Sequence, residues 1–357
     1  MKRAILRILI TAVVGIVGYL LLWPVPIDPV AWNPPAMPEL TGVYAQNNEL
    51  GKMQRLPVNG FAPEDVAIDS QDRIYTGTDD GHIFRLQPDG TRPEPFSNTY
   101  GRPLGLKFDQ NGNLIVADAM NGLRSIAPDG SITPLSNQAD GVQFHCTNDL
   151  DIAPDGTIYF TDASYKYPLT ELKADLLEHR PNGRLLAYDP KTKQTRTVLR
   201  DLYFANGVAV SPDQSFLLVN ETGTYSIRRV WLKGDKQGQS ETFIDNLPGF
   251  PDGISSNGRD LFWVAIVNRR DAGLDFLLRH PFLRKAVMRL PNFLQPAIKR
   301  YAFVLGLDSN GKVVQNLQDP SPQCFAEIAN VVEHKGNLYF GSIGEGAIGR
   351  MSLPAAK

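Results

Sequence analysis

A hairpin pattern that recurs six times after residue 40 is the feature that most constrains how this chain folds. Each copy is a short alternating apolar run, a polar turn and a second β-rich run. The copies span residues 63–77, 103–118, 147–162, 205–220, 251–266 and 327–342. A third strand and another turn follow most copies, so the repeated unit is predicted to be a four-stranded antiparallel blade. Six units spaced by roughly 40 residues or more predict an all-β chain folded as a six-bladed β-propeller, because a sandwich does not require one pattern to recur.

The ring of blades is expected to close with strands from the start of the domain. The segments GVYAQ (42–46) and KMQRLPV (52–58) precede the first hairpin, and the last hairpin ends close to the C-terminus. Early strands that join the last blade would close the ring. The chain has 357 residues, a length that all-β folds often use for one core. We therefore predict that the propeller occupies residues 41–357.

The N-terminus has the pattern of a membrane anchor. Three basic residues within the first seven precede an uncharged, mostly apolar run at residues 8–23, which together with the apolar residues before it is long enough to span a bilayer. The run ends in large residues without a small-x-small cleavage site, which favours a signal-anchor helix at residues 1–23 over a cleaved signal peptide. The charges predict a cytoplasmic N-terminus and a propeller in a periplasmic, extracellular or lumenal space. The Pro-rich residues 24–40 are then expected to form an extended tether.

One interval between the hairpins is long and unlike the others. In residues 268–300, Leu and Phe recur at helical spacing among Arg and Lys, which predicts two short amphipathic helices inserted into blade five. A helical cap packed on the propeller is one interpretation. A lid, or a surface that rests on anionic lipid and adds a second membrane contact, is the other.

Charge and cysteine content exclude several classes of function. The net charge is −2 and the isoelectric point is near 6.2, so the chain lacks the broad basic surface that nucleic-acid binding requires. Two cysteines, Cys146 and Cys324, are too few for a disulfide framework and have no CxxC spacing for zinc. We expect both to be free buried thiols, although a pair across the fold would also satisfy the sequence.

Polar residues recur at the start of the hairpins. The residues just before the six first strands are Glu64, Leu104, Asn148, Asn206, Asp252 and Ile328, with about one residue of uncertainty in the alignment. Four of these six side chains carry oxygen ligands. Because the innermost strands of a propeller begin at one mouth of the central channel, residues at one register converge there. The pattern predicts a cluster of two carboxylates and two amides at that mouth.

This cluster has the chemistry of a site for a hard divalent cation. Glu64 and Asp252 supply two negative charges, and Asn148 and Asn206 supply neutral oxygens, whereas the absence of His and Cys from the set disfavours zinc, copper and iron. Calcium accepts six to eight oxygen ligands at flexible geometry, so these four residues are predicted to bind Ca²⁺, with Mg²⁺ as the second choice. Ligand positions left open on the ion would serve water or substrate.

Turn chemistry is the structural alternative for these residues, because Asn and Asp are common in turns. Pro-Asp-Gly occurs four times in the chain, at residues 88–90, 128–130, 154–156 and 251–253. The first three copies lie between predicted strands, whereas Asp252 precedes the first strand of a blade. The shared register of all four polar residues therefore favours the metal site over turn chemistry.

Two other polar residues in the third hairpin have different interpretations. His145, three residues before Asn148, is a candidate general base or substrate contact, with a structural role as the alternative. Asp149 is expected to bond backbone amides or a neighbouring blade. No GxSxG elbow, phosphate loop or dinucleotide fingerprint is present in the sequence.

The hairpin segments resemble those of a known family. The stretches concerned are APEDVAID, GRPLGLKFD, TNDLDIAPDGTIYFTDAS, FANGVAVSPD, LPGFPDGI and the basic LDFLLRHPFLRKAV. They are similar to the strictosidine synthase-like and adipocyte plasma membrane-associated protein family, from about residue 40 to the end, and the N-terminal anchor agrees. The wider group includes gluconolactonase and regucalcin (the SMP-30-like proteins), diisopropylfluorophosphatase and paraoxonase.

The resemblance implies a six-bladed propeller with a catalytic Ca²⁺ at the channel mouth, held by Glu64, Asn148, Asn206 and Asp252. It also implies hydrolysis of esters, lactones or organophosphates, with arylesterase-like activity for the membrane-associated branch. Strictosidine synthases use a Glu in the last blade for condensation, and here that region reads PQCFAEIANVV. Ala326 and Glu327 lie near the position, so a condensing role is disfavoured.

Two functions from different classes follow. The first is a calcium-dependent arylesterase or lactonase in which the metal polarises the carbonyl of a small ester or lactone and activates water, with Asp252, Asn148 and His145 as the catalytic candidates. The second is a membrane-tethered propeller without enzymatic activity, which binds a partner and holds calcium structurally.

Overall fold

The computed structural model describes residues 2–295 and 298–354, and most of this length forms a ring of six four-stranded antiparallel sheets. The six-bladed propeller predicted from the repeats is therefore confirmed. The strand β1 (Gln54–Pro57) precedes the first blade in the chain. Blade 1 consists of β2 (Val66–Ile68), β3 (Ile74–Gly77), β4 (His82–Leu86) and β5 (Glu94–Asn98). Blade 2 consists of β6 (Pro103–Phe108), β7 (Leu114–Asp118), β8 (Gly122–Ile126) and β9 (Ile132–Ser136).

A two-stranded hairpin stands between the second and third blades. It consists of β10 (Gln138–Ala139) and β11 (Val142–Gln143). Blade 3 consists of β12 (Thr147–Ile152), β13 (Ile158–Asp162), β14 (Gly183–Asp189) and β15 (Gln194–Leu202). Blade 4 consists of β16 (Ala205–Val210), β17 (Phe216–Glu221), β18 (Ser226–Trp231) and β19 (Ser240–Ile244).

The last two blades differ in how they are assembled. Blade 5 consists of β20 (Gly249–Ser256), β21 (Leu261–Arg269), β22 (Ala302–Asp308) and β23 (Val313–Asp319). Blade 6 consists of β24 (Ile328–His334), β25 (Asn337–Ser342), β26 (Ala347–Ser352) and the early strand β1. The pairing of β1 with β26, in which Leu56 lies opposite Ile348, closes the ring. Only the second of the two predicted closing segments is a strand, because residues 42–44 form a short 3-10 helix instead.

The hydrophobic core lies between blades rather than in one centre. The second strand of a blade is buried on both faces because a neighbouring blade packs on each side, and β7 and β17 are buried along their whole length. Between blades 4 and 5, for example, Phe216 and Leu218 share a cluster with Phe262, Val264 and Phe303. Continuous apolar runs in these strands follow from this burial.

Four α-helices accompany the propeller in the described chain. They are α1 (Lys2–Leu22), α2 (Leu172–Glu178), α3 (Ala272–Leu278) and α4 (Pro281–Met288). Helix α1 is long and apolar enough to cross a membrane, and none of its residues is buried. Helices α3 and α4 lie in the connection between β21 and β22, where Asp271 caps the first through its side chain and Pro281 begins the second. Further 3-10 helices lie at Glu49–Lys52, Leu169–Glu171, Thr222–Thr224 and Asn292–Leu294.

The Pro-rich segment after α1 has an extended backbone and lies against the helices. Ile27 is buried, the amide of Val30 donates to the carbonyl of Glu178, and the amide of Trp32 donates to the carbonyl of Leu278. The segment predicted to be a tether is thus docked on α2 and α3. We call the helices α2, α3 and α4 the helical platform.

Candidate metal centre at the channel mouth

All four predicted ligands line one small cavity at the start of the inner strands. The lining residues are Glu64, Asn148, Asn206 and Asp252 together with Asp65, Leu104, Asp149, Gly253, Ala329 and Asn330. The cavity volume available to the centre of a water molecule is about 10 Å³. The cavity therefore has room for one water molecule or one ion. We call the cluster of Glu64, Asn148, Asn206 and Asp252 the mouth site.

A β-bulge presents the ligand side chain in three of the blades. The pairing of each inner strand with its neighbour shifts by one residue between Thr147 and Leu150, between Ala205 and Val208, and between Pro251 and Ile254, so each of these shifts includes a ligand residue. A bulge leaves a residue outside the ladder and redirects its side chain, and bulges are frequent beside active sites. The same shift occurs in blade 2 at Leu104 and in blade 6 at Ala329. The blade-six position is therefore Ala329, one residue beyond the Ile328 expected from the sequence.

Glycine follows the ligand position in two blades where the backbone of the next blade lies very close. A Cβ on Gly207 would lie 2.6 Å from the carbonyl oxygen of Asp252, and a Cβ on Gly253 would lie 2.6 Å from that of Ala329. This close approach explains why the fourth Pro-Asp-Gly copy ends in glycine, at Gly253. In the other three copies the glycine has a positive φ, as in Gly156 at 89°, which is typical of a turn. Gly253 instead lies inside β20, so the fourth copy has a different structural role.

The carboxylates of the mouth site are in an environment that disfavours their charge. Burial raises the pKa of Glu64, and the adjacent Arg102 opposes this rise. Burial also raises the pKa of Asp252 well above its usual range, and the charge of Glu64 raises it further, whereas a hydrogen bond from Asn206 opposes the shift. Two carboxylates held together in a buried pocket favour a cation between them.

Arg102 is a cationic residue at the mouth that the sequence reasoning missed. Its Nη2 donates to Oε2 of Glu64 at 2.9 Å, both side chains are largely buried, and its Nη1 has no partner among the described residues. In the sequence, Arg102 stands two residues before Leu104. Leu104 occupies the ligand register in a blade that supplies no ligand, so a cationic residue close to this position was the available signal. Arg102 fixes one oxygen of Glu64 and thereby the direction of the other.

A second ring of polar residues lies just inside the ligands and joins the blades. Asp149 accepts from the amide of Val208 in blade 4, and Asp65 accepts from the amide of Leu106 in blade 2. The bond from Asp149 to the neighbouring blade agrees with its expected structural role. Burial raises the pKa of Asp65 to about 7. Beyond this ring the channel widens to a cavity of about 170 Å³ with the Lys107–Asp151 ion pair in its wall.

The remaining candidates lie around the mouth but not in the cavity. The His145 side chain is exposed, and its backbone amide donates to Asp162. Glu327, near the position that strictosidine synthases use, has a positive φ of 55°, and burial raises the pKa of its carboxyl group. Cys146 and Cys324 are both free and buried, as expected.

The mouth site offers the oxygen ligands that a hard cation prefers, and two of its four ligands are amide side chains. No cluster of three or more His, Cys, Asp and Glu side chains that could hold a metal occurs in residues 2–295 and 298–354. A metal at the mouth would therefore bind two carboxylates and two amide oxygens, in a pocket with room for one ion. This composition suits Ca²⁺, which accepts neutral oxygen ligands readily.

Comparison with known proteins agrees with this architecture. The family model described as strictosidine synthase matches residues 148–235, and that of the strictosidine synthase-like N-terminal region matches residues 42–86. The chain is 38% identical to strictosidine synthase-like protein 6 of Arabidopsis thaliana, over 82% of this chain and 79% of the relative. This chain belongs to the strictosidine synthase-like family. The chain is also 33% identical to the adipocyte plasma membrane-associated protein of Rattus norvegicus, over 98% of this chain and 98% of the relative.

Solved structures with low sequence identity to this chain share its fold. A gluconolactonase from Xanthomonas campestris superposes with a TM-score of 0.63 at 17% identity, covering 85% of this chain and 89% of its own. Regucalcin from Agrobacterium tumefaciens, described as a calcium-binding protein, gives a TM-score of 0.59 at 13% identity, covering 84% and 93%. At these identities the likeness shows the propeller fold alone.

Proposed function

We propose that this strictosidine synthase-like protein is a calcium-dependent hydrolase of esters or lactones, of the arylesterase or lactonase type. The observation that carries the proposal is the convergence of four oxygen-bearing side chains, from four blades, on a cavity with room for one ion. A bound Ca²⁺ would supply Lewis-acid polarisation of the substrate carbonyl. The names of the structural neighbours, a gluconolactonase and a calcium-binding protein, support the same reaction class and metal.

The residues of the mouth have separate roles in this proposal. Glu64, oriented by Arg102, and Asp252 would hold the cation. Asp252 is also the candidate base or nucleophile, because its carboxylate lines the cavity in which the substrate carbonyl would meet the cation. Asn148 and Asn206 would position metal and substrate. His145, exposed outside the cavity, is the candidate contact for a substrate entering from solvent.

The test is a substrate screen on the full chain in detergent micelles. The full chain is required because residues 24–36 are docked on the helical platform, and truncation at residue 41 would remove those contacts. Phenyl acetate, other aryl esters and a panel of lactones are assayed with calcium, with EGTA, and after EGTA with calcium or magnesium restored. We expect turnover that EGTA removes and calcium restores.

Calcium binding is measured separately from turnover. At a free concentration 100 times the Kd, a ligand that binds only the folded form adds about 2.7 kcal/mol to the free energy of unfolding. Thermal unfolding with and without calcium therefore detects the site even when no substrate is found. Turnover indifferent to EGTA contradicts the hydrolase proposal, and an unchanged Tm contradicts the metal site.

A calcium-binding propeller without catalytic activity is the second candidate, supported by one structural observation. The N-terminal residues 25–32 are packed on the helical platform, in an arrangement that hydrolysis does not require. A calcium-dependent Tm shift, together with no turnover of any ester or lactone in the panel, would favour this function.

A further inference from the structure

We propose that the outer faces of α3 and α4 and the following residues 293–295 rest in the phospholipid surface of the membrane that α1 crosses. The propeller would then be held against that membrane by a second, interfacial contact, in addition to the spanning helix. We call this face the apolar shelf and define it by Phe276, Phe282, Leu283, Phe293 and Leu294. The proposal is independent of whether the mouth site catalyses a reaction.

Helix α1 and helix α4 are joined directly at the point where α1 ends. Arg289, at the end of α4, donates to the backbone carbonyls of Leu20 and Trp23, and the hydroxyl of Tyr19 donates to the carbonyl of Arg289. Leu20 lies in the last turn of α1 and Trp23 follows directly after it, where the carbonyls have no partner within the helix. The membrane exit of α1 and the end of α4 are therefore a single structural unit.

The apolar shelf begins within a short distance of this junction. Seven residues separate Phe282 from Arg289 along α4, or about 10 Å at the rise of an α-helix. Phe293 follows Arg289 by four residues in sequence and has an exposed fraction of 83%. An interfacial helix buries its apolar face about 5–10 Å into the lipid boundary, so the shelf lies within reach of the bilayer surface.

The side chains of the shelf have no apolar cover within the described part of the chain. Phe276, Phe282, Leu283, Phe293 and Leu294 are all exposed. A contiguous exposed apolar surface indicates a membrane or protein contact, because such groups are buried when they can be. Leu22 and Trp23 at the end of α1 are exposed as well, and Arg289, directly after α4, donates to the carbonyl of Trp23, so exposed apolar residues continue from the spanning helix across this junction. This continuity identifies lipid as the partner.

The charges around the shelf agree with a lipid headgroup layer. Residues 276–300 contain six Arg and Lys and no Asp or Glu. Arg284 and Arg289 are buried and bond backbone carbonyls, and Lys285, Lys299 and Arg300 have acidic partners at the edges. The apolar contacts are therefore expected to dominate, with only a small added preference for anionic lipid.

The test measures contact between the shelf and lipid in the full chain reconstituted into nanodiscs. Phe282→Cys and Phe293→Cys are each labelled with bimane, and phosphatidylcholine brominated at a shallow acyl position is the quencher. Cys146 and Cys324 are buried, and the unsubstituted chain measures their background labelling. We expect bromolipid to lower the fluorescence at both positions by about half, with a change under about twofold when phosphatidylglycerol is added.

Val314→Cys is the matched control. Val314 is apolar and exposed in the same blade, but at the opposite end: Ala302, directly after the helices, pairs with Asp319, whereas Leu307 pairs with Val313. A label there is expected to respond to aqueous iodide and not to bromolipid. The proposal is overturned when positions 282 and 293 are quenched by bromolipid no more than position 314. Shielding from iodide without bromolipid quenching also overturns it, since this result would indicate a second copy of the chain on the shelf.

Discussion

The mouth site and the helical platform both bury charged groups, and they satisfy those groups in opposite ways. At the platform, Arg284 is completely buried and donates to the backbone carbonyls of Val30, Leu177, Glu178 and Leu278. At the mouth, Glu64 and Asp252 are buried beside each other. One guanidinium, that of Arg102, contacts one of them.

The difference separates a structural role from a ligand-binding role. Backbone carbonyls around Arg284 stabilise its charge without any group from outside the chain, so its burial holds the N-terminal segment, α2 and α3 together. Burial raises the pKa of both carboxyl groups at the mouth, and the charge of Glu64 raises that of Asp252 further, so their charge favours a cation. We therefore expect substitutions at the platform to change stability and substitutions at the mouth to change ligand binding and turnover.

The largest expected effect is on turnover at the mouth. Asp252→Asn retains the shape of the side chain and removes one charge from the ligand set. Because electrostatic stabilisation by a metal contributes several kcal/mol to a transition state, we expect kcat/KM for the best substrate to fall by about 10³ or more. Asp155→Asn, in the turn copy of Pro-Asp-Gly, is the matched control and should retain full activity. Equal activity of both variants would contradict the catalytic role of Asp252.

A large effect of the other kind is expected at the platform. Arg284→Met keeps a long side chain and leaves buried carbonyls without their donor, which should lower the free energy of unfolding by about 3 kcal/mol, because each unsatisfied buried polar group costs about 1–3 kcal/mol. Thermal unfolding should then shift downward by roughly 10 °C, while kcat/KM of the folded protein is unchanged below the transition. Arg279→Met, at an exposed position next to α3, is the control. An unchanged Tm in Arg284→Met would show that the platform does not depend on this arginine.

The contribution of the platform to the free energy of unfolding is also expected to depend on pH, through His179 and independently of the mouth site. His179 is stacked between Trp32 and Tyr203, and burial lowers the pKa of its imidazole to about 4. The unfolded chain binds a proton near pH 6.5 and the folded chain does not, so stability falls as the pH falls from 6.5 towards 4. This difference amounts to at most about 3 kcal/mol.

Urea unfolding across this pH range tests the His179 prediction. His179→Phe retains an aromatic ring and removes the titration, so its stability relative to the wild type should rise as the pH is lowered. Asp175→Asn gives the opposite slope, because burial raises the pKa of Asp175 to about 6 and its stabilising proton is lost above that pH. Difference curves without slope for both variants would contradict this account.

The repeats predicted more of the molecule than the composition did. Period and turn chemistry give the six blades, and a shared register at Glu64, Asn148, Asn206 and Asp252 predicts one cavity. The bulges at Asn148, Asn206 and Asp252 could not be seen in the sequence, because they arise from pairing with the next strand. Arg102 was missed for a related reason, since its contact with Glu64 joins two blades. The docking of residues 24–36 depends on long-range contacts that a Pro-rich composition does not encode.

The smallest expected effect is a change in the free energy of unfolding in chelator. Its sign differs between the mouth site and the platform, so it distinguishes the two regions most directly. In chelator, Asp252→Asn removes a buried carboxylate that lies beside Glu64, so we expect the free energy of unfolding to rise by about 1 kcal/mol relative to the wild type. Saturating calcium should reverse the order, because the wild type gains binding energy that the variant cannot obtain. Arg284→Met should remain less stable than the wild type in both conditions. Thermal unfolding of the three proteins in EGTA and in calcium measures this reversal in the order of stability. A variant at Asp252 that is destabilised in EGTA would show that its carboxylate has a structural role like that of Arg284.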